Sequence, residues 1–161
     1  MLHQPDENGV YARVYAATMR RLFAYLMLVS LGALLLWLVF TTPPTAGWAV
    51  VMVLIAAGSL YLAERTRRAT ATVLELTADE LRDTTGRVLA RVEDIEKIDR
   101  GVFAFKPSNG FLLKTKASAP AAWAPGLWWR IGRRVGVGGV VPSAPAKYMA
   151  EVIGSWVEAR G

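Results

Sequence analysis

The feature that most constrains this chain is a run of 42 residues, Leu22 to Ala63, without a single Asp, Glu, Lys or Arg. Charged residues make up 20% of the chain and hydrophobic residues 53%, so the two kinds are segregated rather than interleaved. Leu22 to Phe40 is 19 residues, and as a helix it spans roughly 28 Å, close to the ~30 Å hydrocarbon thickness of a bilayer. Gly47 to Ala63 adds 17 residues, about 26 Å, after Thr41 to Ala46, whose Pro43 and Pro44 stop one helix and turn the chain. The expectation is a two-helix transmembrane hairpin over 22–63, with helices at 22–40 and 47–63. Phe23 and Tyr25, Trp37, Trp48 and Tyr61 stand at the span ends, where aromatic rings anchor in the headgroup layer.

Arg13, Arg20 and Arg21 precede the hairpin, Arg65, Arg67 and Arg68 follow it, and the intervening loop has no base. Such a distribution places both termini in the cytoplasm. A cleaved signal peptide is the competing reading. It is disfavoured because the first run exceeds the usual apolar core of a signal and a second membrane-length run follows at once. Neither span carries an ionisable side chain, so a proton relay or ion path through the hairpin has no residues to build it. Gly32 and Ala56 to Ser59 are small enough for close helix contact.

The flanks divide unequally. Residues 1–21 read as a cytoplasmic N-terminal segment, polar and loose over 1–10, with Tyr11 to Arg21 extending the first helix; no domain is expected there. Residues 70–161 are enough for one compact domain. Thr70 to Leu76 alternates and is rich in β-branched residues, Glu80 to Asp83 and Val88 to Val92 flank a turn at Thr84 to Arg87, and Val102 to Phe105 and Phe111 to Thr115 flank Lys106-Pro-Ser-Asn-Gly110. At least five short antiparallel strands follow. Ser143-Ala-Pro145 offers a helix start, and Met149, Val152, Ile153, Trp156 and Val157 recur at helical spacing, which predicts one amphipathic C-terminal helix. The fold class expected is a membrane α-helical hairpin plus an α+β soluble domain.

The stretch Leu74 to Gly110 resembles bacterial pleckstrin-homology-like (PH-like) domains attached to membrane hairpins. The residues that carry the resemblance are a strand, then Thr77, Asp79 and Leu81, a turn at Gly86, and the pattern Val92, Asp94, Ile95, Ile98. The resemblance implies an antiparallel half-barrel closed by the C-terminal helix, used for binding or scaffolding in the bacterial cytoplasmic membrane, with no catalysis and no specified ligand.

Charge in the soluble domain is polarised. Glu75 to Asp99 holds eight acids and four bases, whereas Arg100 to Ala150 holds eight bases and no acid. Interleaved strands would merge these into a solvated mixed surface; kept apart, they would form a basic face. Its centre would be Trp123 to Arg134, where Trp123, Trp128 and Trp129 lie among Arg130, Arg133 and Arg134. That composition suits other membrane protein subunits or anionic phospholipid headgroups, and equally a core in which the Trp residues are buried and the Arg residues point outward. Nucleic acid fits poorly, because adjacent Trp128 and Trp129 would face opposite sides of a strand.

Chemistry has little to work with. His3 is the only histidine and cysteine is absent, so thiolate and Ser-His-Asp constellations are excluded. Gly136-Val-Gly-Gly139 lacks the geometry of a dinucleotide fingerprint and reads as a strand bending at a barrel corner. Glu93, Asp94, Glu96 and Asp99 read as a solvated turn rather than a metal site. No catalytic, cofactor-binding or metal residue is expected. The sequence points to a non-enzymatic membrane-anchored module, an accessory or assembly component of a larger membrane complex, or alternatively an anionic-lipid-binding domain on an anchor.

Overall fold

The computed structural model describes residues 4–99 and 108–161. In chain order the elements are β1 (Val10–Tyr15), α1 (Thr18–Thr41), α2 (Ala46–Ala69), β2 (Val73–Thr77), β3 (Glu80–Asp83), β4 (Val88–Arg91), β5 (Ile95–Asp99), β6 (Phe111–Ala124), β7 (Trp128–Val137) and α3 (Ser143–Glu158). The expected strand Val102 to Phe105 and His3 lie outside the described residues.

The N-terminal segment corrects the sequence expectation. Tyr11 to Arg21 does not simply lengthen the first helix, because Val10 to Tyr15 is a strand. Val10, Ala12 and Val14 alternate with outward residues, and this period-2 face is buried, Val14 completely. β1 pairs antiparallel with β2, with Val14 opposite Leu74 and Tyr15 opposite Val73. The two long helices are therefore an insertion between adjacent strands of one sheet. Cutting the chain at residue 70 removes a strand from the domain.

Both helices exceed the expected bounds and are long and apolar enough to cross a membrane. Only 6% and 17% of their most apolar windows are buried, unlike the core helices of a globular protein. Large side chains such as Phe23, Trp37, Phe40, Trp48 and Leu54 stand exposed. Between the helices, small residues allow close approach. Gly32, Ala56, Ser59 and Ala63 are buried, and a Cβ on Gly32 would lie 2.8 Å from the Leu60 side chain.

The sheets are two antiparallel meanders, β1-β2-β3-β4 and β5-β6-β7, and they do not close into a barrel. Leu74, Leu76, Leu81 and Leu89 from the first meet Phe111, Leu113, Val135 and Val137 from the second in one core. The β3–β4 turn is held by Asp83, whose Oδ1 accepts from the N–H groups of Thr85 and Arg87 and from the Thr85 hydroxyl. The acidic stretch after Val92 is not a loop throughout: a single 3-10 turn, Val92–Asp94, leads straight into β5.

The α3 helix closes the core with the expected face, Met149, Val152 and Ile153 being fully buried. Pro142 rather than Ser143 holds the cap position, and it makes no side-chain cap bond. Tyr11 of β1 meets the Trp156 ring edge-on at 4.8 Å between centroids. The arrangement is α+β, with the helical hairpin emerging from the β1–β2 connection.

Because Tyr15 and Val73 are already paired, a two-residue Asn-Gly turn in place of residues 16–72 should close β1 on β2 and yield a soluble domain with a cooperative thermal transition. Residues 70–161 alone should lack that transition, since losing the buried Val10 and Val14 side chains costs about 3–6 kcal/mol against a typical total of ~5–15. Circular dichroism melts of the two proteins check this.

Candidate functional site

The Trp/Arg segment lies on the longest hairpin of the domain, and the hairpin is bent. The β6–β7 ladder shifts register between Lys114 and Ala119 and again before Ala122, and Gly132, opposite Ala119, has φ +58°. The bend carries the hairpin tip back under the core. There Leu127 accepts a hydrogen bond from the Gly138 N–H, Gly126 accepts one from the Val140 N–H, and Gly126 rests against Thr66 and Thr70 at the end of α2.

This geometry separates the six residues expected to form one binding face. Trp128 is in the core, 1% exposed, beneath the guanidinium of Arg87 at 5.8 Å. Trp129 points to the other side of the strand and is half-buried over Gly136, where a Cβ would meet its indole at 2.3 Å. The glycine is required by that close approach. Trp123 alone among the three is exposed, at 51%.

The arginines divide in the same way. Arg130 is a structural clamp: its Nε donates to Pro120 O at 2.9 Å and its Nη1 to Val88 O and Leu89 O at 2.8 and 3.2 Å. Val88 and Leu89 belong to β4, the free edge of the first sheet, so this guanidinium joins the sheets where no ladder does. Arg133 donates to Thr115 O and to Glu96, and Lys114 shares Glu96. The acidic and basic halves of the domain thus meet across the β5–β6–β7 register, which gives mixed charge there rather than a basic face. Arg134 is exposed, as is Ile131 at 65%, and among the described residues Arg134 has no polar partner.

A second cationic cluster went unnoticed in the sequence, where Arg65 and Arg68 count only toward helix orientation. A cleft of about 310 Å³ at the end of α2 is lined by Arg65 and Arg68 on one side and by Asp83, Arg87 and Trp123 on the other. Arg67 and Arg68 both pair with Glu64, at 2.7 and 2.6 Å. Arg65 donates to the Tyr61 hydroxyl, and neither it nor Arg87 has an acidic partner among the described residues. A larger cleft of about 770 Å³ lies at the opposite end of the first sheet, where Tyr11 and Trp156 lie between Asp79, Glu93, Arg91 and Arg160. Among the described residues no group of three or more His, Asp or Glu is placed to hold a metal ion.

Arg130→Ala should destabilise the domain by about 2 kcal/mol, since a charged donor shared by three carbonyls is lost, whereas Arg134→Ala should change stability by less than about 0.5 kcal/mol. Gly136→Ala should cost about 1–3 kcal/mol by displacing Trp129. Urea unfolding of the three variants in the soluble domain described above distinguishes these outcomes. No protein-family model matches this chain, and no curated protein or solved structure does.

Proposed function

We propose that the chain is a non-enzymatic, membrane-anchored interaction module of the PH-like kind, an accessory or assembly component of a larger protein complex in a bacterial cytoplasmic membrane. The observation that carries this reading is the insertion of the two apolar helices between β1 and β2. A flexible tether lets a domain roam, whereas here both helix ends are clasped. Ala17 N donates to Val140 O at 2.8 Å and Arg20 to Val141 O at 3.0 Å at the start of α1, while Gly126 packs on the end of α2. A domain held in one pose at a membrane surface suits a scaffold that presents one face to a neighbour.

Further support comes from topology and charge. Antiparallel meanders of four and three strands followed by a closing helix suit a PH-like half-barrel. The bases Arg13, Arg20, Arg21, Arg65, Arg67 and Arg68 flank the hairpin at its domain end, and the connection between the helices has none, which favours cytoplasmic termini. The face offered to a partner is the outer side of the β6–β7 bend. Ile131 there is a large exposed apolar side chain beside the register shift, and Arg134, three residues on in the same strand, is exposed and without a polar partner among the described residues.

Purification of the full chain from its native membrane in a mild detergent should recover a second membrane protein at fixed stoichiometry. An Ile131→Asp/Arg134→Glu variant should lose it, by roughly tenfold or more if the pair forms a hot spot. A clean monomer or homodimer from the unmodified chain overturns the proposal.

A further inference from the structure

The cleft at the end of α2 is an opening between the helical hairpin and the domain that no polar contact among the described residues bridges. Elsewhere the two parts are joined by backbone hydrogen bonds and by the packing of Gly126. Across this cleft, Arg65 and Arg68 of the helix face Arg87 and Trp123 of the domain, and among the described residues no hydrogen bond or ion pair crosses it. Three guanidiniums and one carboxylate line it. Oδ1 of that carboxylate, Asp83, is committed to the N–H groups of its own turn and to Thr85. Guanidiniums thus stand on both walls and outnumber Asp83, the one carboxylate that lines the cleft, although Arg68 is partly neutralised by Glu64.

We infer that this cleft binds the phosphate of an anionic phospholipid and that the lipid joins the helical hairpin to the domain. The inference rests on the reading that the helices cross the membrane. If they do, the end of α2 lies in the headgroup layer, because Arg65 directly follows the uncharged span that ends at Ala63. The exposed Trp123 ring is then at the depth where indoles settle. Guanidinium forks suit phosphate oxygens, and a phosphate bridging Arg65 and Arg87 would relieve their mutual repulsion. The residues differ from those of the Trp/Arg face apart from Trp123, and the role differs as well: the lipid is a third clasp, setting the pose of the domain on the bilayer.

The test uses the full chain in nanodiscs of phosphatidylcholine containing a minor fraction of phosphatidylglycerol, released for native mass spectrometry so that retained lipid is identified by mass. Phosphatidylglycerol should be retained in preference to phosphatidylcholine. The preference should fall about fivefold in Arg65→Gln and roughly 25-fold in Arg65→Gln/Arg87→Gln, at about fivefold per surface cation. Lys97→Gln, at an exposed cation on β5, should retain it. Arg65→Gln also guards against misfolding as the explanation, since Arg65 is exposed and bonded only to Tyr61 among the described residues. Equal retention of both lipids, or unchanged retention in the double variant, overturns the site. Displacement of the lipid by aqueous glycerol phosphate at comparable concentration overturns the lipid assignment in favour of a soluble phosphate ester. A chain that fails to enter nanodiscs overturns the membrane-spanning reading and the site with it, whereas a chain that enters without headgroup preference overturns the site alone.

Discussion

The pairing of β1 with β2 is the interaction on which the rest of the structure depends. It brings Val14 against Leu74 and sets Tyr15 opposite Val73, so the chain leaves the sheet and returns to it at neighbouring points. Two packed antiparallel helices begin and end about 8–10 Å apart, and adjacent strands are about 5 Å apart, so the hairpin fits the sheet with only the short joints Ala16-Ala17 and Thr70 to Thr72. The 57 residues between Tyr15 and Val73 would be a costly loop if flexible. Helical pairing removes most of that cost by holding the two ends together.

Several carbonyls outside the strand ladders, at the β4 edge, at the β6 register shift and in the turns, take their hydrogen bonds from arginine side chains. Arg130 serves β4, Arg133 serves Thr115 of β6, Arg160 reaches Val92 O at 2.7 Å, and Arg20 ties α1 to Val141. A guanidinium carries five donors on a long stem, so it can reach across a gap that a backbone amide cannot. Part of the chain's net charge of +6 is thereby explained by internal hydrogen bonding, without any anionic partner. Arg65, Arg87 and Arg134 have neither a carboxylate partner nor a carbonyl to serve among the described residues, and these are the positions where the two proposals locate binding.

The two proposals thus locate binding in two regions of the domain. At the end of α2, charge and Trp123 surround a narrow cleft. The outer bend of β6–β7 faces away from the core and exposes Ile131. Under the proposed function, clasping at one end and an exposed apolar side chain at the other would set one protein beside a second in a defined orientation.

The sequence by itself determined the two apolar helices, the meander from Val73 to Arg91 and the buried stripe of α3. Each rests on a local period or on composition over a dozen or more residues, which tertiary contacts reinforce. It did not reveal β1, although Val10, Ala12 and Val14 alternate, because a six-residue strand has meaning only beside its partner, and that partner lies beyond two helices in the chain. Nor did it settle the Trp/Arg segment. Composition placed Trp123, Trp128, Trp129, Arg130, Arg133 and Arg134 in one window, but the strand period and a bend at Gly132 sent them to the core, to a sheet edge and to the surface. Arg65, Arg68 and Arg87 converge on one cleft through the register of β2 with β3 and the turn that follows, and such convergence is a property of the folded sheet alone.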